Sequence, residues 1–225
     1  MVAPASAPRS VLEYIKTHLP LTPVPTVPEV SIHTAGPRSG LWRMAEMDAD
    51  EFPSPYWASW WGGGVGLARH VLDHPEIVAN KSVLDLGSGS GLVAIAAAKA
   101  GATDIFAADI DRYAIAATRL NAAANNVQIS LMAADLTLGA PPDVDVVLVG
   151  DLFYEAELAK RVTTFLARCI ADQRHVLIGD PRRTHLPVAR VQLIAEYCGP
   201  DFGTAGSFTS RNGVYMFRSP TDAFQ

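Results

Sequence analysis

The sequence predicts an α/β protein built on a seven-stranded, mostly parallel sheet, with helices on both faces and an antiparallel hairpin at the C-terminus. From residue 82 onward, short runs rich in Val, Ile and Leu alternate with helical patterns, and this alternation indicates parallel crossovers. Near the C-terminus the pattern changes to two β-type segments around Asn212-Gly213, a dipeptide that favours a two-residue hairpin turn. Together the two patterns predict a doubly wound sheet closed by antiparallel strands.

The individual elements follow from apolar periodicity and from the turn residues that bound each segment. The predicted strands are 82–86, 104–109, 127–132, 144–150 and 174–179, followed by Gly203 to Ser210 and Val214 to Arg218 in the tail. The predicted helices are Val65 to Val78, 91–100, 112–125, 155–170 and 185–197.

The first 50 residues are predicted to form an irregular extension to a main domain over 51–225. Seven of the 16 prolines of the chain lie before residue 38, which disfavours regular structure. Within this extension we expect a short helix whose apolar face holds Val11, Leu12, Ile15 and Leu19. We also expect a hairpin made of two short strands, Val30 to His33 and Leu41 to Met44.

Composition limits the classes of partner and compartment. A net charge of −5 argues against nucleic-acid binding and is compatible with a basic protein partner. No apolar run approaches the ~18 residues of a membrane span, and the N-terminus lacks an apolar signal region, so we expect no membrane partner and a cytoplasmic location. We expect a monomer whose two cysteines, Cys169 and Cys198, are reduced core thiols.

The sequence predicts no metal site. His70 and His74 have an i, i+4 spacing that could hold a metal ion, but no third ligand lies nearby in the sequence. A solvated helix face is the preferred interpretation of this pair.

A glycine-rich loop follows the first strand of the alternating region, in the run Val83 to Gly91. A side chain at Gly87 or Gly89 would block the approach of a ligand to the backbone. The dinucleotide-binding fingerprint needs a third glycine where this chain has Leu92, and Asp85 before the first glycine is foreign to it. An acidic loop suits a ligand with a positively charged amino acid end. The run resembles the S-adenosylmethionine loop of class I methyltransferases, which implies a Rossmann-like fold and that cofactor.

Acidic residues follow three consecutive strands of the predicted sheet, where a ligand would lie. Asp109 has the separation from Asp85 at which an acid accepts from ribose hydroxyls, and Asp135 is placed to accept from the adenine amino group. Asp135 could instead be a simple turn cap, and for Asp111 a helix cap is the preferred interpretation. The predicted cofactor contacts are Trp57, Trp61, Asp85, Gly87, Ser88, Gly89, Asp109, Ile110, Asp135, Leu136 and Asp151.

Three tryptophans crowd the segment before Gly62-Gly63-Gly64: Trp57, Trp60 and Trp61. Two interpretations stay open at this stage. The rings either pack the N-terminal extension against the sheet, or one or two of them cover the methionine end of the cofactor through a sulfonium–aromatic contact.

The run Gly150 to Tyr154 contains Asp151 and Tyr154 in an Asp-x-x-Tyr pattern after the fourth strand. It resembles the Asp-x-x-Tyr group of protein lysine methyltransferases, in which a carboxylate suits an amine that arrives as a cation. The resemblance implies that Asp151 captures and aims the lysine ammonium and that Tyr154 orients it. Asp151 could instead cap the following helix, and Tyr154 could be a packing aromatic.

Within this group the chain is most similar to the lysine methyltransferases of the electron transfer flavoprotein β-subunit. The similar stretches are Pro55 to Ala58, Lys81 to Gly89, Ala108 to Asp111, Gly150 to Tyr154 and Val176 to Pro181. Gly62 and the pair Arg182-Arg183 depart from the family pattern, at the predicted protein-docking edge. The alternatives are a ribosomal-protein methyltransferase, which Val83 to Lys99 also resembles, a small-molecule amine methyltransferase and a cofactor-binding scaffold without catalysis.

Overall fold

The computed structural model describes residues 11–36, 39–47, 54–199 and 210–219. Its helices are α1 (Val11–His18), α2 (Leu41–Met47), α3 (Gly62–Asp73), α4 (Leu92–Lys99), α5 (Arg112–Ala124) and α6 (Ala156–Ala171). Its strands are β1 (Leu21–Val24), β2 (Val27–His33), β3 (Ser82–Leu86), β4 (Asp104–Asp109), β5 (Ser130–Ala133), β6 (Val146–Gly150), β7 (His175–Asp180), β8 (Val191–Gly199) and β9 (Ser210–Phe217).

Strands β3 to β9 form one sheet in the order β5-β4-β3-β6-β7-β9-β8. β3 to β7 run parallel to one another, and β9 lies antiparallel between β7 and β8. The chain fills one side of β3 with β4 and β5 and then crosses to β6 on its other side. In such sheets ligands bind beyond the carboxyl ends of the strands where the order reverses. The predicted fold class is confirmed.

Helices cover both faces of this sheet because its strands are apolar on both sides. On one face, Leu67 and Val71 of α3 and Val93 and Ala97 of α4 pack on the central strands. On the other face, α6 buries Val162, Phe165, Leu166 and Cys169 against β6 and β7. Within the described ranges, no helix is both long and apolar enough to span a bilayer.

The N-terminal segment packs against α5 through buried asparagine side chains. Asn121 Oδ1 accepts from the His33 amide at 2.8 Å, and its Nδ2 donates to the Ser90 carbonyl of the glycine loop at 2.8 Å. Asn125 exchanges two hydrogen bonds with the backbone of Ser31. The β1–β2 hairpin is therefore tied to the loop that follows β3 by a single side chain.

For two segments, one in the extension and one toward the C-terminus, the sequence predicts the wrong type of secondary structure. Segment 185–197 is not a helix: it contains a 3₁₀ turn at Val188–Arg190 and then β8, which pairs with β9 along its length. The predicted strand Leu41 to Met44 belongs to helix α2, in which Leu41 and Ala45, four residues apart, enter the same buried cluster. The partner of His33 in the hairpin is instead Leu21 of β1.

Asn212-Gly213 does not form the predicted hairpin turn, because both residues lie inside β9. They pair with Tyr197 and Glu196 of β8. Gly213 is needed for a different reason, since a Cβ there would lie 2.5 Å from the Tyr215 ring. The predicted antiparallel pairing near the C-terminus is present, but the strand that precedes β9 in it is β8. Residues 203–209 of the predicted first strand lie outside the described residues.

Candidate active site

A cleft of about 710 Å³ opens beyond the carboxyl ends of β3, β4 and β6, at the position the strand order predicts. The structure brings all predicted site residues together on its wall: Trp57, Trp61, Asp85, Gly87, Ser88, Gly89, Asp109, Ile110, Asp135, Leu136, Asp151 and Tyr154. The residues predicted from the sequence therefore line one cleft, and their individual roles stay predictions.

The glycine loop after β3 adopts backbone angles that favour glycine. Gly87, Gly89 and Gly91 have φ values of 70°, 53° and 79°. A Cβ at Gly87 would lie 2.6 Å from the Leu152 side chain, so a protein neighbour, rather than the predicted ligand, fills that space. At Gly89 the nearest atom is Trp57 Cα, at 3.8 Å. Gly89 is therefore the glycine of this loop that offers bare backbone to the cleft.

Asp85 links the end of β3 to the start of α4. Its Oδ2 accepts from the Ala94 amide in the first turn of that helix at 2.9 Å, where a negative charge is favourable. Burial raises the pKa of Asp85 to about 7, the Ala94 amide opposes this shift, and the nearby charge of Asp109 adds to it.

Asp109 at the end of β4 holds the glycine loop. Its Oδ2 accepts from the Gly89 amide at 2.8 Å and its Oδ1 accepts from the Asp111 amide at 2.9 Å. Burial raises the pKa of Asp109, while these amides oppose the shift. A carboxylate has about four acceptor positions, so acceptor capacity remains for a hydroxyl donor in the cleft.

Two buried polar atoms on the cleft wall have no hydrogen-bond partner within the described part of the chain: Ser88 Oγ and Trp57 Nε1. Buried polar groups in proteins are generally satisfied, so both atoms indicate a polar ligand at this end of the cleft. Trp57 also packs in the core, where its ring stacks on Tyr113 with centroids 6.1 Å apart. Trp57 therefore packs in the core and also lines the cleft.

At the other end of the cleft, Asp135 begins a 3₁₀ turn at Leu136–Leu138. Its Oδ1 accepts from the Thr137 amide at 3.0 Å, which confirms the turn-cap interpretation for that oxygen, while its Oδ2 lies 3.9 Å from Arg161 Nη2. Ile110 lies at the rim with 73% of its surface exposed. Asp111 caps α5 as predicted, since its Oδ1 accepts from the Tyr113 amide.

Asp151 follows β6 in the left-handed region, with φ of 57°, a conformation that favours Gly, Asn and Asp. Its Oδ2 accepts from the Gly64 amide at the start of α3 at 2.7 Å, and its own amide donates to the Gly179 carbonyl. Burial raises the pKa of Asp151 to about 7, and the charge of Arg183 opposes the shift. The helix-cap interpretation of Asp151 is wrong, because Glu155 caps α6.

The position of the Gly64 amide depends on contact between two glycines. A Cβ on Gly179 of β7 would overlap the carbonyl oxygen of Gly63, and a Cβ on Gly63 would overlap that of Gly179. A Cβ on Gly63 would also lie 2.8 Å from Asp151 Oδ2. The absence of side chains at both positions thus brings the start of α3 against the sheet edge beside Asp151.

Arg183 is a site residue that the sequence did not predict as such. Its Nη2 donates to Asp151 Oδ1 at 2.6 Å and its Nε donates to the same oxygen at 3.1 Å. Its guanidinium lies over the Trp61 ring, 5.5 Å from the centroid. One interpretation of the sequence puts the cofactor sulfonium against a tryptophan of this segment. In the described structure the cation that contacts Trp61 is instead Arg183 of the chain itself.

Aromatic rings form the mouth of the cleft. Tyr56 has its centroid 5.7 Å from that of Trp42, 5.6 Å from that of Trp61 and 5.9 Å from that of Tyr154. Tyr56 and Tyr154 are 47% and 53% exposed. Tyr154 is thus an accessible ring at the entrance, and the packing interpretation does not account for this exposure.

Among the described residues, no group of three or more His, Cys, Asp or Glu side chains is arranged to hold a metal ion. The predicted solvated face is wrong for His70, which is buried with its Nδ1 2.9 Å from the Tyr197 hydroxyl. Cys169 is buried as predicted, but Cys198 is exposed on β8.

Comparisons with known proteins agree with this geometry. Residues 70–154 match the family described as ribosomal protein L11 methyltransferase (PrmA). The solved structure of magnesium protoporphyrin IX methyltransferase from Synechocystis PCC 6803 with bound S-adenosylmethionine superposes with a TM-score of 0.50 at 17% identity, covering 68% of this chain and 76% of that one. The fold and the cleft define a class I S-adenosylmethionine-dependent methyltransferase.

Two curated relatives are more specific. The electron transfer flavoprotein β-subunit lysine methyltransferase of Xenopus laevis is 39% identical over 199 residues, which cover 86% of this chain and 79% of that protein. The protein of the same name from Rattus norvegicus is 37% identical, with coverage of 77% and 70%. The chain belongs to the family of electron transfer flavoprotein β-subunit lysine methyltransferases.

Proposed function

We propose that this chain transfers methyl groups from S-adenosylmethionine to a lysine ε-amine of the electron transfer flavoprotein β-subunit, the substrate named for its relatives. The observation that carries the proposal is Asp151, a buried carboxylate on the cleft wall next to an aromatic entrance. An aromatic entrance suits the aliphatic stem of a lysine, and a carboxylate on the wall of the same cleft suits the amine.

The cleft residues fit the cofactor. We assign Ser88 Oγ and Trp57 Nε1, which lack partners among the described residues, to binding its polar amino acid end. Asp109 would accept from the ribose hydroxyls, and Asp135 with Leu136 and Ile110 would bind the adenine. When bound, S-adenosylmethionine supplies an electrophilic methyl group on a positively charged sulfur.

The chain's own residues must present a neutral amine. A free lysine with a pKa of about 10.4 needs roughly 4.6 kcal/mol to lose its proton at pH 7. Removal from water by Tyr154 and the tryptophan segment lowers this cost, because desolvation disfavours the ammonium. Phe153, which the sequence suggests for the same role, is fully buried in the core and does not line the cleft. We assign Asp151 the capture and aiming of the amine, and Tyr154 its orientation; alignment of the reacting atoms supplies most of the remaining acceleration.

Replacing Asp109 with Ala should lower the affinity for S-adenosylmethionine more than tenfold. The change removes the ribose acceptor, and each charge-assisted hydrogen bond contributes roughly 1.5–3 kcal/mol. It also frees the Gly89 amide. Isothermal titration calorimetry measures the affinity. Asp104→Ala, at the exposed beginning of the same strand, is the matched control. Equal affinity in both variants would contradict the assignment.

The substrate can be identified with labelled cofactor. The protein, with Asp109→Ala as the control of weakened cofactor affinity, is incubated with methyl-labelled S-adenosylmethionine and a lysate of its own source, and the modified protein is analysed by mass spectrometry. We expect methyl-lysine in the electron transfer flavoprotein β-subunit. Label in a ribosomal protein or in small molecules would establish the corresponding alternative, and binding without labelled product would establish a scaffold.

We further propose a monomer that acts in the cytoplasm on protein rather than on nucleic acid or membranes. The net charge of −5 supports the part concerning nucleic acid, because phosphate backbones attract basic surfaces.

A further inference from the structure

The carboxylate of Asp151 is largely occupied by partners from the chain itself. Oδ1 accepts two N–H groups from Arg183, and Oδ2 accepts one from the Gly64 amide. A carboxylate offers about four acceptor positions, so one position on Oδ2 remains. Asp151 lines the cleft, and we assign that remaining position to the incoming amine.

Several ionisable groups surround this pair. Asp180, at the end of β7, accepts from the Arg183 amide at 2.6 Å and its charge acts on Asp151. Tyr56 and Tyr154 line the same cleft from the 3₁₀ turn and the loop after β6, and Arg161 lines it from α6. The N-terminus of α3 contributes the Gly64 amide. Arg182 is engaged by Glu196 of β8. Arg183 is thus the cation in direct contact with Asp151.

An isolated carboxylate would hinder the reaction in one respect. A negative charge beside a lysine favours the ammonium, which cannot attack an electrophile. The Arg183 guanidinium compensates that charge at hydrogen-bonding distance and keeps the carboxylate in place through two N–H donors. The pair remains an acceptor for the amine while having no net charge.

Resting on the proposed function, we propose that Arg183 is a positioning residue: it neutralises Asp151 so that the free position on Oδ2 aims the target lysine in its neutral form. The substrate side of the site is therefore selective for an uncharged amine at the moment of transfer. The stacking of the guanidinium on Trp61 fixes the side chain in the geometry that this role requires.

The test compares Arg183→Gln, which removes the charge, with Arg183→Lys, which keeps it; Arg182→Gln is the matched control on the neighbouring residue. The pH profile of kcat is measured for each variant with the electron transfer flavoprotein β-subunit as the substrate. In Arg183→Gln the midpoint of the limb on which kcat rises with pH should increase by about one pH unit, with activity about tenfold lower at pH 7.5 and recovered near pH 9.5. Arg183→Lys should restore the midpoint, and Arg182→Gln should not move it.

A second measurement does not depend on turnover. Carbon-detected NMR of the protein without cofactor follows the titration of the Asp151 carboxyl, whose pKa should rise in Arg183→Gln because a compensating charge is lost. An unchanged kinetic midpoint or an unchanged Asp151 titration would overturn the proposal. Faster methylation by Arg183→Gln at neutral pH would also overturn it, since Arg183 would then block the access of the amine to Asp151. If the wild-type protein does not methylate the β-subunit, the proposed function fails instead.

Discussion

Replacing Asp151 with Asn is expected to lower methyl transfer by about 100-fold or more while the protein stays folded. Asn tolerates the left-handed backbone at this position, so the turn after β6 should persist. The variant loses the carboxylate that aims the amine and holds Arg183, and misplacement of a nucleophile alone costs about this factor. Turnover measured with saturating cofactor checks the rate, and calorimetry should find little change in cofactor affinity.

The pH dependence adds a second criterion for this variant. Raising the pH should speed Asp151→Asn, because the amine must still deprotonate and neutral lysine becomes more common. In the wild-type protein, activity should fall as the pH drops below about 7, since burial raises the pKa of Asp151 to that value and its protonation weakens the pair with Arg183. Asp143→Asn, at an exposed site, is the control. A fully active Asp151→Asn protein would contradict the role of Asp151 in capturing and aiming the amine.

Replacing Gly179 with Ala should both destabilise the protein and abolish activity. The new methyl group would overlap the Gly63 carbonyl and lie 2.7 Å from Leu67 Cβ. Because the main obstacle is backbone, α3 must move away from the sheet, which separates the Gly64 amide from Asp151. Overpacking of this kind typically costs about 1–3 kcal/mol of the free energy of unfolding.

Chemical denaturation and turnover measure the two effects of Gly179→Ala. Gly139→Ala is the matched control, because a Cβ there has nothing within 4 Å and the residue follows a 3₁₀ turn at the surface. We expect the control to retain the midpoint and the rate of the unchanged protein. Normal stability of Gly179→Ala would contradict the close approach of α3 to β7.

The parallel half of the sheet was predictable because its signals are local. Each buried strand is an apolar run bounded by turn residues, and each helix between them has its own periodicity, so β3, β4, β6 and β7 lie within two residues of their predicted bounds. The chemistry-bearing side chains at the strand ends follow directly, because parallel strands end at one edge of the sheet.

The errors occur where distant pairing decides the structure. Val191 to Gly199 contains good helix formers such as Leu193, Ala195 and Glu196, but it becomes a strand because β9 offers a complete ladder beside it. The sequence predicts Arg183 only as part of a docking edge, and its contact with Asp151 has no local signal because it spans 32 residues of sequence. The signal available for Arg183 was its place just after the end of β7, next to Gly179-Asp180-Pro181.

The left-handed backbone of Asp151 limits which residue types can occupy this position in related proteins. Asn and Gly suit the left-handed turn but bring no carboxylate, whereas Glu brings the carboxylate and suits the turn poorly. Aspartate alone meets both requirements. A related chain with Asn or Gly here would therefore keep the shape of this loop without its acid, and overall similarity to this protein would then overstate a shared activity.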